Sequence, residues 1–372
     1  MSRLRRHFEQ LVRPADIRID GDRPWDVRVH DDRLYQRVLA HGTLGLGEAY
    51  MDGWWDCDAI DQMVDRAHRS RIAQRLVSPT TLLRVAEAKI RNLQRGDRAY
   101  EVGRRHYDIG NDLYRRMLDP RMIYSCGYWR DADDLAAAQE AKLDLVANKL
   151  ALEPGMRVLD IGCGWGGAAR FLAERHDVSV VGITISKEQA VIARETTDGL
   201  PVQIRVQDYR EVAERFDRVY SIGMFEHVGA KNYGAYMKTV RRCLDDPAGL
   251  TVLHTIGGNR SSARTDPWMD RYIFPNSMLP SAAQITAAAE EELTLEDWHN
   301  FGPDYDRTLM AWHANISAAW DELPAYDERF RRMWDFYLLV SAGGFRARYI
   351  QLWQVVFSRD GLPQPYAPPG IR

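Results

Sequence analysis

Cysteine is scarce in this sequence of 372 residues. The four cysteines, Cys57, Cys126, Cys163 and Cys243, form no CxxC pair and lack the spacing of a metal site. The small number and the spacing of the cysteines argue against a secreted domain stabilised by disulfides and against a metal-binding module. We expect reduced thiols, no bound metal, and a cytoplasmic protein.

Long apolar runs are also missing. No window approaches the roughly 18 uninterrupted apolar residues that a membrane-crossing helix needs. The N-terminal segment MSRLRRHFEQLVRPAD is positively charged, but it has no apolar core of the length that a signal peptide requires. The sequence therefore predicts a protein that is soluble or lies on a membrane surface without crossing it.

The chain has no strong net charge of either sign. A formal charge of -3 and a pI near 6.4 argue against nucleic acid as a general partner. Lysine is rare, with 6 lysines against 44 arginines, and we attribute this to the base composition of the gene. Charge is uneven along the chain, because residues 66–98 contain 9 basic and 2 acidic residues, a local net of 9 − 2 = +7.

A glycine-rich turn follows a short apolar segment in RVLDIGCGWGG, residues 157–167. The segment RVLDI is typical of a buried parallel strand, and AARFLAERH after the turn favours a helix. Gly162, Gly164, Gly166 and Gly167 allow a tight turn and a close approach of backbone to ligand. The pattern predicts a loop that holds a nucleotide-like cofactor.

The glycines alone fit two cofactors. GCGWG matches the GxGxG loop of S-adenosylmethionine (SAM) methyltransferases, and GCGWGG also satisfies the dinucleotide pattern GxGxxG. A dinucleotide fold places an acid at the end of the second strand, whereas VSVVGI here runs into Thr184 with no acid or arginine. Asp160, at the end of the first strand, suits the methionine end of SAM. We favour SAM over NAD, and a turn that serves packing alone is the remaining alternative.

Strand-like and helix-like segments alternate after the first third of the chain. Strands are predicted at 157–161, 178–183, 202–206, 218–222, 250–254 and 350–357, and helices at 135–150, 187–195 and 233–244. This alternation predicts an α/β fold with right-handed βαβ units and a mostly parallel sheet. Because ligands bind at the carboxyl ends of such strands, we expect five sites to cluster: Asp160, Thr184, Asp208, residues 223–226 and His254.

Composition changes near residue 100. We predict a small, mainly helical N-terminal domain over residues 1–100 and a catalytic domain over 101–372. A long insertion rich in aromatic residues, here called the excursion, separates the last two predicted strands at 258–349. We interpret it as a helical lid or acyl-pocket wall. For any single aromatic residue in it, packing in an ordinary core is the simpler explanation.

Several polar residues occupy positions that we expect to be buried, where their polar groups would need hydrogen-bond partners. We expect the pair Glu226 and His227, after the strand ending SIGMF, to be buried near the cofactor, and unpaired burial of a carboxylate is costly. His254 ends the strand LTVLH, Tyr305 lies in PDYDRT, and Cys126 lies in YSCGYW. Taken singly, each of these has an ordinary structural explanation.

Together, many segments match one family in order along the chain. They are HGTLGLGEAYMDGWWD, HYDIGNDLY, YSCGYW, VLDIGCGWGG, VVGITIS, QDYR, GMFEHVG, LHTIG, YIFPN, DWHNFGPDYDRTLMAW and FRARYIQLWQVVF. From about residue 35 to 358 the chain resembles the cyclopropane-fatty-acyl-phospholipid synthases and the related mycolic acid cyclopropane synthases. The resemblance implies a class I SAM-dependent methyltransferase fold. The first thirty or so residues and the tail after Gly361 fall outside it.

The resemblance also implies a reaction. The family transfers a methyl group from SAM to a cis double bond of an acyl chain and then removes a proton to close a three-membered ring. The carbocation between these steps needs a dry pocket and stabilisation by aromatic faces. In the family a bound bicarbonate ion accepts the proton, and the residues that match its ligands here are Cys126, Glu226, His254, Ile256 (through its amide) and Tyr305.

Cofactor residues follow from the same resemblance. It places Tyr124 and Ser125 beside the methionine end of SAM, and Thr184 and Gln189 near the ribose. It adds Asp208 and Tyr209 of QDYR on the adenine side. With Asp160, Gly162, Gly164 and Gly166 from the glycine turn, these residues complete the predicted SAM site.

The implied partners are unsaturated phospholipid acyl chains and an anionic membrane surface, and bacterial relatives form homodimers. In residues 82–95, apolar side chains fall on one side of a predicted helix and Arg84, Arg91 and Arg95 on the other, which is typical of a helix lying on a membrane. Packing of this helix on the catalytic domain is the alternative. We expect peripheral association with the inner face of the membrane.

Other products and roles stay open. The same acyl chains could yield methyl-branched, methylene or oxygenated products, and some proteins of similar sequence methylate amines. The full set of bicarbonate-binding residue types favours ring closure, because amine methylation does not require that site. A non-catalytic lipid-binding protein of the same fold is the alternative from another class, and loss of Glu226, Cys126 or the glycines would have supported it.

Overall fold

The computed structural model describes residues 3–72, 110–262 and 265–367. The chain divides into two compact units, the first comprising residues 1–117, 265–276 and 309–349, and the second residues 118–264, 277–308 and 350–372. The predicted boundary near residue 100 and the predicted helix 82–95 lie outside the described residues. The excursion 258–349 is shared between the units, and its role as a lid stays a prediction. Among the described residues, no helix has the length and apolar character needed to span a bilayer.

The first unit is mainly helical. Its described helices are Arg3–Val12, Arg33–His41, Thr43–Met51, Ile60–Arg69, Asn111–Met117, Pro267–Tyr272, Glu328–Arg346 and the part of Pro303–Ala319 from residue 309 onward. Two short strands, β1 (Arg28–Val29) and β2 (Trp55–Asp56), pair antiparallel.

Aromatic side chains form the core of this unit. The ring of Phe336 lies 4.8 Å from that of Trp268 and 5.5 Å from that of Tyr50, measured between centroids. Gly47 packs against the Trp268 indole so closely that a Cβ would lie 2.4 Å from it. The glycine-punctuated segment GTLGLGEAY therefore serves helix packing, and these aromatic residues of the excursion are core residues of the first unit.

The second unit is built on a seven-stranded sheet in the order β5-β4-β3-β6-β7-β9-β8. The strands are β3 (Arg157–Ile161), β4 (Ser179–Thr184), β5 (Val202–Val206), β6 (Arg218–Ile222), β7 (Leu250–Gly258), β8 (Thr294–Asn300) and β9 (Ile350–Ser358). The first five in the sheet order pair parallel, and β9 runs antiparallel to both β7 and β8. Strand order reverses between β3 and β6, where ligands bind in open α/β sheets.

Helices cover both faces of this sheet. They are Leu135–Lys149, Gly167–His176, Lys187–Thr196, Tyr233–Cys243, Ala282–Ala289 and the first residues of Pro303–Ala319. Side-chain caps begin several of them, such as Ser281, which forms a capping box with Gln284. One apolar cluster contains Tyr236 and Ile285, and the other contains Leu143 and Phe171. The predicted α/β fold with a mostly parallel sheet is confirmed.

One predicted detail of the sheet is wrong, and one strand was missed. His254 does not end its strand, because β7 continues to Gly258 and pairs with β9 along its full length. The edge strand β8 was not predicted, since its sequence TLEDWHN carries charged side chains and none of its residues is fully buried. Edge strands commonly carry such charges, so a search for apolar segments does not detect these strands.

Candidate functional site

The glycine turn after β3 has the backbone that its sequence predicts. Gly162, Gly164 and Gly166 have φ angles of +91°, +52° and +84°, which L side chains rarely adopt. A Cβ on Gly162 would lie 2.7 Å from the Cβ of Met224, in the turn after β6. Gly166 begins the helix Gly167–His176, so backbone N–H groups at this terminus point toward the turn. The turn therefore fits a closely bound cofactor.

Asp160 lies at the centre of a buried polar group behind this turn. Its Oδ2 accepts a hydrogen bond from the Tyr220 hydroxyl at 2.8 Å. Burial raises the pKa of the Asp160 carboxyl to about 7, while the Tyr220 hydrogen bond and the nearby Lys142 ammonium act in the opposite direction. A neutral carboxyl here can donate a hydrogen bond, and an ionised one can hold an ammonium group such as that of methionine.

Lys142 was missed by the sequence prediction. It lies on the helix Leu135–Lys149, is fully buried, and its Nζ donates to the Ser125 hydroxyl at 2.9 Å. Burial lowers its pKa to about 8, and the nearby acidic groups of Asp119, Cys126 and Asp160 partly oppose this shift. Lys142 therefore forms a hydrogen bond with the predicted cofactor residue Ser125 and interacts electrostatically with Asp160 and Cys126.

Glu226 and Ile256 are in direct contact. The carboxylate Oε1 of Glu226 accepts a hydrogen bond from the Ile256 amide at 2.7 Å. Its other oxygen, Oε2, is buried without a hydrogen-bond partner among the described residues. Burial raises the pKa of Glu226 to about 7, and the Ile256 hydrogen bond opposes the shift. The Ile256 amide thus orients Glu226, and the free oxygen can accept from a bound group.

Glu226 lies in the turn after β6, and His254 lies on the neighbouring strand β7. The turn after β6 is joined to β7 by a hydrogen bond from the Gly223 amide to the His254 carbonyl, 2.9 Å long. His254 is 1% exposed, and its Nε2 is buried without a described partner. The prediction that Glu226 and His227 are buried together is half correct, because Glu226 is 6% exposed whereas the His227 side chain faces solvent.

Cys126 contacts the helix Pro303–Ala319, which also carries Tyr305. The Cys126 thiol is fully buried, and its Sγ lies 3.7 Å from the Thr308 hydroxyl. Burial raises the pKa of this thiol well above its usual range, so it is a neutral group and not a nucleophile. Tyr305 is buried one helical turn before Thr308. Thr308 also accepts from the Gly127 amide and the Trp129 indole, which fixes the YSCGYW segment on this helix.

Of the remaining predicted cofactor residues, Thr184 ends β4, Gln189 lies on the helix Lys187–Thr196, and Asp208 and Tyr209 follow β5. Tyr124 lies in the segment before the helix Leu135–Lys149. Thr184 is buried and its hydroxyl lies 3.3 Å from the Gln189 amide oxygen, so these two are together. Asp208 is half-buried and is held by Arg210, which lowers its pKa through a hydrogen bond. Tyr209 is half-buried against Tyr236, and Tyr124 is half-buried beside Ser125.

The second unit thus contains every predicted site residue. Direct contacts join Glu226 with Ile256 and Thr184 with Gln189, and Lys142 lies within electrostatic range of Cys126, Asp160 and His254. The roles of these residues stay predictions. Sequence analysis missed Lys142, Lys149, Gln139, Thr308 and Gln354, all fully buried. A usable signal was the spacing of Gln139, Lys142 and Lys149, which places three polar residues on one face of their helix. The other polar residues of that helix, Glu140, Asp144 and Asn148, fall outside this face.

The raised pKa of Glu226 predicts a pH-dependent stability. The unfolded chain releases this proton near pH 4.5 and the folded protein near 7, so stability present below pH 4.5 is lost as the pH rises. The unfolding free energy of Glu226→Gln minus that of wild type should therefore rise by about 3 kcal/mol between pH 4.5 and about pH 8. Urea unfolding of the cofactor-free proteins measures this.

The exposed Glu153→Gln variant is the control for this measurement, because its side chain stays in water in both states. Its unfolding free energy should follow the wild-type pH curve within about 0.5 kcal/mol. Parallel curves for Glu226→Gln and wild type would show that the buried carboxyl carries no such proton.

Comparison with known proteins shows the family of this chain. The sequence profile of the family described as mycolic acid cyclopropane synthetase matches residues 94–355. A cyclopropane-fatty-acyl-phospholipid synthase of Escherichia coli strain K12 is 54% identical over 352 residues, which cover 94% of this chain and 92% of that protein. The resemblance found in the motifs is confirmed.

Solved structures show the same fold. The cyclopropane synthase MmaA2 from Mycobacterium tuberculosis is 31% identical with a TM-score of 0.64, over 70% of this chain and 98% of that one. The mycolic acid cyclopropane synthase CmaA1, complexed with SAH and CTAB, is 33% identical with a TM-score of 0.62, over 68% of this chain and 96% of that one. The class I SAM-dependent methyltransferase fold is confirmed.

Proposed function

We propose, since the chain belongs to the mycolic acid cyclopropane synthetase family, that it is a cyclopropane synthase acting on the unsaturated acyl chains of phospholipids. The chain is an enzyme of the SAM-dependent methyltransferase class. In the proposed reaction the cis double bond receives a methyl group, and the resulting carbocation loses a proton to close the ring. The similar protein from Escherichia coli bears the name of this activity.

The glycine turn supports SAM as the cofactor. SAM, when bound, supplies an electrophilic methyl group, and bicarbonate supplies a base. The positive φ angles of Gly162, Gly164 and Gly166 let the backbone approach the cofactor, and Asp160 and Ser125 offer polar groups to its methionine end. The Thr184 and Gln189 pair offers hydroxyl and amide groups to the ribose in place of the acid that dinucleotide folds use.

The observation that carries the proposed chemistry is a pair of buried polar atoms with unsatisfied hydrogen bonding. They are Glu226 Oε2, in the turn after β6, and His254 Nε2, on the neighbouring strand β7. Buried polar atoms without a protein partner point to a bound polar group. Bicarbonate has both a hydroxyl to donate to Glu226 and oxygens to accept from His254. Lys142 and Lys149, both fully buried near His254, favour an anion there.

We assign the bicarbonate site to Cys126, Glu226, His254, Ile256 and Tyr305. Because the Ile256 amide already donates to Glu226, its main contribution is to hold that carboxylate in place. The rings of Phe225 and Tyr233, stacked 4.2 Å apart, belong to the apolar core next to Glu226 and exclude water from that side of it. These features favour proton loss over capture of the carbocation by water.

The product identifies the function. The protein is incubated with SAM and vesicles of a mono-unsaturated phospholipid, and the acyl chains are then analysed by mass spectrometry and proton NMR. We expect a gain of one CH2 with upfield ring protons. A methyl branch, an exocyclic methylene or an alcohol at the former double bond would contradict ring closure, and unchanged acyl chains would contradict the substrate class.

We further propose that the enzyme reaches its substrate by binding peripherally to anionic membranes. This part rests on the sequence of residues 82–95, which combines apolar residues with Arg84, Arg91 and Arg95. Replacing these three arginines by glutamine should weaken binding to anionic vesicles about 100-fold, because each basic residue contributes on the order of 1 kcal/mol. Sedimentation with vesicles at low salt measures the change.

The matched control removes three charges elsewhere, at the exposed Lys187, Lys231 and Lys238. This control should bind anionic vesicles within about threefold of wild type, and salt should weaken wild-type binding. Equal binding of wild type to neutral and anionic vesicles would contradict the proposal.

A further inference from the structure

Three polar side chains form a row across the antiparallel end of the sheet. His254 on β7 lies directly opposite Gln354 on β9, and Gln354 lies directly opposite His299 on β8. Opposed residues on neighbouring strands point to the same face of a sheet, so the three side chains lie side by side. The row begins at a predicted ligand of the anion and ends at the edge strand.

Gln354 makes a directional hydrogen bond within this row. It is fully buried, and its amide Nε2 donates to His254 Nδ1 at 3.2 Å. An amide nitrogen only donates, so Nδ1 must present its lone pair. A neutral imidazole with a lone pair on Nδ1 carries its proton on Nε2, the atom that has no described partner.

The surroundings keep His254 neutral. The ring is buried beside Phe301, with centroids 5.8 Å apart, and two buried ammonium groups, those of Lys142 and Lys149, lie near it. Burial together with these two positive charges disfavours an imidazolium ion. In the neutral form the hydrogen bond from Gln354 decides which ring nitrogen is protonated.

His299 can hold the Gln354 amide in this orientation. Gln354 Oε1 and His299 Nδ1 are both buried without hydrogen-bond partners among the described residues, and they belong to opposed residues. The His299 ring is fixed between aromatic neighbours, 5.0 Å from Phe301 and 5.9 Å from Tyr128 by centroid distance. When His299 Nδ1 carries a proton, it can donate to Gln354 Oε1. This bond keeps the Gln354 amide nitrogen facing His254.

We propose that Gln354 is a positioning residue that fixes His254 with its proton on Nε2, so that His254 donates a hydrogen bond to the reaction's anion and does not itself remove the proton. This role rests on the proposed function, because it takes His254 to be a ligand of bicarbonate. It also separates two tasks, since the anion accepts the proton while the histidine orients the anion.

The tautomer is measured directly by nitrogen-15 NMR of protein labelled at histidine, with the His254 signals identified by their loss in His254→Phe. We expect the wild-type ring to show a protonated Nε2 and an unprotonated Nδ1. In Gln354→Glu a carboxylate that only accepts replaces the donor, so the proton should move to Nδ1. We expect kcat to fall at least about tenfold in this variant, with the KM for SAM within about twofold.

Gln351→Glu is the matched control, since it places the same charge on β9 beside Asn259 and Asn300 and away from His254. It should keep the Nε2–H signature and a kcat within about threefold of wild type. A wild-type His254 protonated on Nδ1 would overturn the assignment, as would an unchanged kcat in Gln354→Glu. The tautomer of His254 tests the assignment whether or not cyclopropane is formed. If the product assay fails while the tautomer is as expected, only the proposed function is contradicted.

Discussion

Glu226→Gln should abolish ring formation while SAM still binds. The amide keeps the shape of the side chain and an oxygen that can accept from the Ile256 amide, a bond of 2.7 Å in the wild type. It loses the carboxylate oxygen that is buried without a partner and that we assign to the anion. We expect at least a 100-fold lower rate of cyclopropane formation, in line with the loss of general acid–base catalysis.

Two measurements test this expectation together. Isothermal titration should give a Kd for SAM within about threefold of wild type, because the glycine turn is untouched. Glu153→Gln, an exposed change in the same unit, should keep wild-type activity. Full activity in Glu226→Gln would remove Glu226 from the mechanism, whereas a parallel loss of SAM affinity would make it a structural residue.

Gly162→Ala should weaken SAM binding about 100-fold. Gly162 has φ of +91°, a strained conformation for alanine, and the new Cβ would lie 2.7 Å from the Met224 Cβ. Relief of this overlap moves the turn that must touch the cofactor, and a 100-fold change in Kd corresponds to about 2.7 kcal/mol. Titration of SAM into the folded variant measures the effect.

Gly155→Ala separates strain from binding. Gly155 has a similar φ of +84°, but no atom of the described residues lies within 4 Å of a Cβ placed there. It precedes β3 at the end opposite the glycine turn, so it should lose stability without a change in the Kd for SAM. Equal losses of SAM affinity in both variants would contradict the assignment of the turn to the cofactor.

Much of the fold could be predicted because its signals are local. The strand, glycine turn and helix at 157–176 follow one another in sequence, and the φ angles of the turn are those that only glycine adopts readily. The parallel strands read as short apolar segments because helices cover both faces. Asp160 and Glu226 could be named as candidates because Asp160 lies near the end of such a strand and Glu226 follows one.

The rest depends on contacts that are distant in sequence. Lys142 contacts Ser125 only because the helix Leu135–Lys149 packs its polar side chains inward, and the hydrophobic pattern of that helix is weak. Gln354 acquires its role from the antiparallel register of β7, β8 and β9, which a parallel-sheet prediction does not contain. For the same reason, β7 was predicted too short.

The central claim is that the methyl group donated by SAM becomes the ring CH2 after losing one proton within the site. It is tested most directly with SAM whose methyl group carries three deuterium atoms, incubated with mono-unsaturated phospholipid vesicles. We predict a cyclopropane whose ring carbon retains two deuterium atoms, with the third lost as the ring closes. An acyl chain that retains all three as a methyl branch would contradict ring closure and the role assigned to Glu226 and its anion.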